Sequence, residues 1–243
     1  MNKNNVWFIT AKTNLHIGNE NTSSYGLIDL AIQRNVTTDL PCINSSSLKG
    51  ALNEYAAQGA KIESDNLIKI FGCDKVKQNG SSRNGKTQKG NYIFFDANIL
   101  FLPVQDDKTL YHLETSHDVI KRFRDQMSLF GIQLNNNDEQ LIDELKSAMG
   151  ITKDIKFSDS DEAFIDLCSD DNLPIIARNI LDNGESKNLW YEQVLPAETI
   201  LYTLIDDKGD ETLRTELNKN DTIVQIGAGA TIGYGYCKFT ELK

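Results

Sequence analysis

Gly227, Gly229, Gly233 and Gly235 crowd one short run, Val224-Gln-Ile-Gly-Ala-Gly-Ala-Thr-Ile-Gly-Tyr-Gly-Tyr236, and a strand-like stretch from Tyr236 to Thr240 follows. Glycine is used where the backbone takes φ > 0 or where another chain must pass very close. Loops of this kind also turn backbone N–H groups toward phosphates. The dinucleotide-binding pattern needs a strand before its glycines, a helix after them and an acidic residue about 20 positions on. Only a few residues follow Tyr236, so the run points away from a Rossmann domain. Two readings remain: a glycine-rich hairpin loop, or a site for some other phosphate-rich ligand.

A second segment bears on that choice. After Ser45-Ser-Ser47, apolar residues recur at Leu48, Ala51, Leu52, Tyr55 and Ala56. This spacing predicts an amphipathic helix from about Ser46 to Gln58 with the serines as N-caps. Lys49 then lies in the first turn, against the positive end of the helix dipole, at a cost of roughly a few tenths of a kcal/mol. An anion docked at the helix start removes the conflict, because helix N-termini bind phosphate readily. The alternative is a solvated lysine.

Net charge argues the other way. Twenty-five basic residues against thirty-five acidic ones give −10, whereas nucleic-acid binders are usually basic. The charge is segregated, however. Acids dominate 135–171 and 206–221, while Lys75, Lys77, Arg83, Lys86 and Lys89 share one stretch. Such segregation permits a positive groove on an acidic body.

No apolar run reaches the roughly 18 residues needed to span a membrane. The start, Met-Asn-Lys-Asn-Asn-Val-Trp, lacks a signal peptide's apolar region, so the expected compartment is the cytoplasm. Cys42, Cys73, Cys168 and Cys237 are far apart and form no Cys-x-x-Cys pair. They read as reduced, mostly buried thiols. His16, His112 and His117 do not join them at zinc-ligand spacings.

The 243 residues read as one large domain with insertions. A strand is expected over Val6–Asn14, an irregular segment over 16–44, and a mobile basic loop over 75–91. Tyr92–Val104 and Glu198–Ile205 read as strands. Helices are expected at His117–Phe130 with Gly131 as its stop, at Asp138–Met149 before Gly150, and at Glu211–Leu217. Residues 152–188 read as an acidic, polar insertion. Strands and helices without regular βαβ alternation indicate an α+β fold.

The motifs Thr13-Asn-Leu-His-Ile-Gly18, Gly26-Leu-Ile-Asp-Leu-Ala-Ile-Gln-Arg34 and Ser47-Leu-Lys-Gly-Ala-Leu52 resemble the repeating backbone subunit of type III-B (Cmr-type) CRISPR effector complexes, in the RAMP superfamily. Phe95-Asp-Ala-Asn-Ile-Leu-Phe-Leu-Pro103, Leu189-Trp-Tyr-Glu192 and Gln225-Ile-Gly-Ala-Gly-Ala-Thr-Ile-Gly-Tyr-Gly235 follow in the family's order. The resemblance implies an RRM-like, ferredoxin-like core with insertions that include a thumb hairpin, expected within 152–196. It implies guide crRNA and target RNA as ligands, further copies of the chain in a filament, and other type III-B subunits as partners in antiviral defence. It also implies metal-dependent cleavage of target RNA with Mg2+ or Mn2+, leaving a cyclic phosphate. The alternatives are an inactive structural RNA-binding subunit and a RAMP endoribonuclease that processes guide precursors.

Asp29 is the foremost candidate. An acid inside a short apolar run is either exposed or held by partners, and by itself it reads as a turn cap. The resemblance implies the catalytic aspartate, able to help hold a metal or assist 2′-OH attack. His16 offers an acid or base, an RNA contact or a backbone bond. Arg34 offers a bidentate fork for phosphate, or a salt bridge. Ser47, Lys49, Gly227 and Gly229 are candidate RNA-backbone contacts. Trp190 and Tyr191 either stack on bases or are buried.

Overall fold

A computed structural model describes residues 1, 5–18, 28–73 and 87–242. Residues 74–86 of the basic stretch, and residues 19–27 of the 16–44 segment, lie outside the described residues. The strands are β1 (Val6–Ala11), β2 (Cys42–Ile43), β3 (Gly72–Cys73), β4 (Gln88–Lys89), β5 (Ile93–Phe94), β6 (Ala97–Asp106), β7 (Leu110–Thr115), β8 (Ile155–Phe157), β9 (Ile175–Asp182), β10 (Glu185–Gln193), β11 (Ile200–Asp206), β12 (Val224–Gln225) and β13 (Tyr236–Glu241). The helices are α1 (Ser45–Glu54), α2 (Ser64–Phe71), α3 (His117–Leu129), α4 (Asp138–Met149), α5 (Asp161–Leu167) and α6 (Thr212–Leu217).

The main sheet runs β12-β13-β1-β11-β6-β7-β8 among the described residues. Its centre, β13-β1-β11-β6, is antiparallel throughout. In chain order these are the fourth, first, third and second strands of a β-α-β-β-α-β unit, with α1 after the first strand and α6 after the third. That is the ferredoxin-like arrangement, so the α+β expectation holds. Nearly every residue of β1 and β11 is buried, as expected for central strands covered on both faces.

Helix α3 covers one sheet face with Val119, Ile120, Phe123 and Met127, the stripe its spacing predicts. Phe123 meets Phe8 at 6.1 Å and Tyr202 at 4.7 Å between ring centroids. Ser116 caps this helix through its side chain, and Asn137 does the same for α4. Gly150 ends α4 in the left-handed conformation, with φ 66°, as a C-terminal glycine should.

Residues 152–188, read as an acidic, polar insertion, are ordered and lead into a hairpin within 152–196, where the resemblance implies one. They contain β8, α5 and β9, and β9 pairs with β10 in an antiparallel hairpin that lies off the main sheet. Its two-residue turn, Asn183-Gly184, has φ of 53° and 87°, the combination an Asn-Gly hairpin turn supplies. The described end of the basic loop is also ordered into a strand, since Gln88 and Lys89 pair with Cys73 and Gly72.

Candidate active site

Residues 28–34 form an irregular strip between the base of the β9–β10 hairpin and the His16–Gly18 segment. Asp29 is exposed. Its backbone N–H and that of Leu30 donate to the Tyr191 carbonyl at 3.0 and 3.1 Å. The Tyr191 N–H returns a bond to Asp29 Oδ2 at 2.7 Å. Oδ1 makes no hydrogen bond among the described residues. Among the described residues the carboxylate is thus fixed by one oxygen and unbonded at the other.

The strip is held by two glutamines. Gln193 Oε1 accepts the Ile32 N–H at 3.2 Å, and the Gln193 N–H donates to the Leu30 carbonyl at 2.9 Å. Gln33 accepts the Asn44 N–H at 2.8 Å and donates to the Gly18 carbonyl and Ser47 Oγ at 3.1 and 2.9 Å. An irregular segment must satisfy its backbone groups in this way, through side chains.

His16 is only 3% exposed. Its Nδ1 lies 2.6 Å from the Gln193 carbonyl oxygen. A carbonyl only accepts, so the proton is assigned to Nδ1. Nε2 lies 3.8 Å from Glu192 Oε1. The backbone-bond alternative is the one the structure gives. A histidine so enclosed has no face with which to stack on RNA, which corrects its reading as an RNA contact.

Arg34 also needs correction. Its Nε and Nη2 donate to Asp170 Oδ1 at 3.1 and 2.7 Å, and its Nη1 donates to the carbonyls of Asp39 and Cys168 at 2.7 and 2.8 Å. Four of its five N–H groups are spent inside the fold, leaving no fork for phosphate. Arg34 locks the 28–41 strip onto the segment after α5.

At α1 the geometry revises the dipole argument. The helix begins at Ser45, so Lys49 is its fifth residue, beyond the first turn. The N-cap is Asn44, without a side-chain cap bond, rather than a serine. The Ser45 N–H donates to Asp96 Oδ1 at 2.6 Å. The anion at the helix start is therefore the protein's own Asp96. Lys49 makes no ion pair among the described residues. Ser47, its Oγ accepting from Gln33, lines a groove of about 440 Å³ with Gly18, Gln33, Gly50, Gln225 and Gly227. The structure so brings Ser47 and Gly227 together.

Gly227 has φ 79°, and a Cβ there would lie 2.1 Å from the His16 carbonyl oxygen. The close approach that demands glycine is to the protein's own backbone, across the bridge His16–Ala228. At Gly229, φ is 80° and a Cβ would meet the Tyr234 side chain at 3.1 Å. A valine there is strained in the free protein, before any RNA is present.

Trp190 and Tyr191 are half-buried neighbours on β10, so they point to opposite faces of the hairpin. Trp190 shares its face with Arg178 and Glu192, and Arg178 packs over its ring at 5.6 Å. Arg178, Glu192, Gln33, Gln193 and Asp170 were not singled out from the sequence. The available signal was a polar residue inside an apolar run, as in Leu30-Ala-Ile-Gln33 and Glu192-Gln-Val-Leu195, since a buried polar side chain must have partners.

Among the described residues no group of three or more His, Cys, Asp or Glu is arranged to hold a metal ion. Nor is any helix long and apolar enough to cross a membrane. Burial raises the Cys42 thiol to about 11 and those of Cys168 and Cys237 to about 12, which keeps them protonated and unreactive near neutrality.

A family model described as the RAMP superfamily matches residues 8–238. The chain is 26% identical over 267 aligned positions to a Pyrococcus furiosus protein named CRISPR system Cmr endoribonuclease Cmr4, with 88% of each covered. Its fold is similar to the crystal structure of oligomeric Cmr4 from Pyrococcus furiosus, with TM-score 0.71, 24% identity and 98% of both chains covered. It is also similar to a chain in the cryo-EM structure of the type III-B Cmr-beta bound to cognate target RNA, with TM-score 0.67, 17% identity, and coverage of 98% and 96%.

Proposed function

Because the chain belongs to the RAMP superfamily, we propose that it is a guide-RNA-binding backbone subunit of a type III-B CRISPR effector complex, and that it cleaves the bound complementary target RNA. The observation that carries the reading is the exposed Asp29 carboxylate, fixed through Oδ2 by the Tyr191 N–H and, among the described residues, without a hydrogen bond at Oδ1. Relatives named Cmr4 that match most of the chain support the same assignment.

Guide and target pair with each other, so base pairing reads the sequence and the protein reads backbone and shape. Cleavage requires a ribose 2′-OH to attack the adjacent phosphorus while the 5′-oxygen leaves, giving a cyclic phosphate and a 5′-hydroxyl. The proton lost by the 2′-OH is balanced by one gained at the 5′-oxygen. Asp29 Oδ1, unbonded among the described residues, is the carboxylate oxygen that would face such a reacting ribose.

The residues fit Mg2+ or Mn2+ in one limited way. Magnesium is commonly held by one or two carboxylates plus water and substrate phosphates, and Asp29 Oδ1 would supply one such oxygen. A bound divalent ion would neutralise charge on the phosphate under attack. A guide-processing enzyme with a histidine base is disfavoured, because His16 is enclosed and bound to Gln193.

Asp29→Asn in a complex built wholly of the variant should slow target cleavage at least about a hundredfold, with guide and target affinities unchanged. Chelation should abolish wild-type cleavage, and added Mg2+ or Mn2+ should restore it. Wild-type cleavage by Asp29→Asn rejects the site.

A further inference from the structure

The β9–β10 hairpin stands off the main sheet, and an isolated two-stranded hairpin is marginal by itself. Its aim is therefore set by contacts at its base. One of them is Tyr191, whose peptide both accepts from the Asp29 and Leu30 N–H groups and donates to Asp29 Oδ2. Whatever holds β10 in place also sets the direction of the Asp29 carboxylate.

The next residue along β10 is Glu192, only 6% exposed. A buried carboxylate needs a partner, and Arg178 Nη1 supplies it at 3.0 Å from Oε2. Arg178 belongs to β9, where it stands in register with Trp190. Its guanidinium packs 5.6 Å from the Trp190 ring and 6.0 Å from the Tyr234 ring of the glycine segment. One side chain thereby joins both hairpin strands to the 227–235 segment. Glu192 Oε1 in turn faces His16 Nε2 at 3.8 Å, and His16 Nδ1 donates to the Gln193 carbonyl. The chain of contacts runs from Tyr234 through Arg178, Glu192 and His16 to Gln193, and brackets the Tyr191 peptide that grips Asp29.

We propose that Arg178, acting through Glu192, is a positioning residue for target cleavage: it fixes the base of the hairpin so that the Tyr191 peptide holds the Asp29 carboxylate in its working direction. This rests on the reading of Asp29 as the catalytic acid. Arg178 itself touches neither the acid nor the RNA in this account. Lysine is a poor substitute, because only guanidinium combines the ion pair with stacking on two rings. It does keep a cation opposite Glu192.

The test uses complexes assembled entirely from Arg178→Met, Arg178→Lys or Asp29→Asn protein. Guide loading, target Kd and the single-turnover cleavage rate at saturating target are measured for each. Arg178→Met should load guide and bind target within about twofold of wild type. It should cleave roughly tenfold to a hundredfold more slowly, the scale of an ångström-sized misplacement. Arg178→Lys should recover part of that rate, and a rate no better than that of Arg178→Met overturns the ion-pair route through Glu192. A purely structural role would depress loading and rate together.

Wild-type cleavage by Arg178→Met, with Asp29→Asn inactive, overturns the positioning role and leaves Asp29 standing. Wild-type cleavage by Asp29→Asn overturns both. Loss of target affinity in step with rate also overturns the proposal, because it makes Arg178 an RNA ligand. If Arg178→Met fails to assemble, Glu192→Gln decides, since it keeps the shape and removes the charge. A slowed rate with normal loading supports the proposal, and a wild-type rate refutes it.

Discussion

Arg34→Met should destabilise the protein and leave the salt dependence of guide binding untouched. Arg34 is 13% exposed at its side chain, while its partner Asp170 is 58% exposed. The Asp170 pair is therefore screened and contributes about 0.5 kcal/mol, within the range for surface pairs. The two bonds from Nη1 to the Asp39 and Cys168 carbonyls involve a charged donor, where about 1.5 kcal/mol or less is expected for the exposed one and about 1.5 for the half-buried one. The sum is about 3 kcal/mol. Methionine keeps the apolar stem, so packing losses stay small. For a chain of this size each kcal/mol moves Tm by roughly 2–4 °C, which predicts a drop of about 6–12 °C by calorimetry of the RNA-free protein. In parallel, the slope of log affinity against log salt is measured for guide binding. A Tm within about 2 °C of wild type together with a slope flattened by about one unit would refute the internal clamp and restore Arg34 as a phosphate contact.

Lys49→Ala should do the reverse. Its ammonium has no ion pair among the described residues, so melting should hardly change, while loss of a phosphate contact should flatten the salt slope by about one unit. Native protein alkylated at pH 8 should be modified first at Cys73, which is partly exposed. Cys42, Cys168 and Cys237 are buried with raised thiol values and should react only on unfolding, as mass mapping would show. At Asp210, burial pushes the carboxyl up, but Lys69 and Thr212 outweigh it and hold it down at about 2, against an ordinary 3.8. A depressed carboxyl stabilises fully above its unfolded value and loses that contribution as pH falls toward 2. Lys69→Met should therefore flatten the stability–pH curve in that window in acid denaturation, and an unchanged curve would remove the pair from the account.

Periodicity made α3 and α4 legible, because each packs one apolar stripe on the sheet and ends at a glycine, Gly131 or Gly150. Strand order was not legible. It depends on β1 pairing with β11 and β13, with partners such as Val6–Leu204 and Trp7–Glu241 that no local pattern encodes. The hairpin β9–β10 was legible only through the family resemblance, not from its own residue pattern. Its exposed faces carry Asn, Arg and Glu and show no clean alternation, although Asn183-Gly184 marks its turn. Asp29 was visible as an acid among apolar neighbours, but its clamp was not, because Tyr191 lies far along the chain. Arg34 misled for the same reason. A guanidinium flanked by polar residues looks alike in sequence whether its partner is a phosphate or a carbonyl of Cys168.

The acidity of the chain, net −10, bears directly on how it could hold RNA. The fold spends Arg34 on Asp170, Arg124 on Asp138, Arg178 on Glu192 and Arg214 on Asp207. These arginines buttress loops and the hairpin base, so they cannot supply the counterion release that dominates most nucleic-acid affinity. Among the described residues the 440 Å³ groove is lined by Ser47, glycine backbone and the amides of Gln33 and Gln225, together with the carboxylate of Glu54, and Lys49 lies on the same helix. A surface whose donors are mostly neutral and whose rim carries an acid gives weak binding per copy. In the proposed filament, each guide segment bound raises the effective concentration of the next copy's site, so weak contacts multiply without new ones. A head-to-tail interface that does not close would allow that repetition. An acidic subunit is then no contradiction of an RNA-binding role: it favours loading as an array over binding of a single copy.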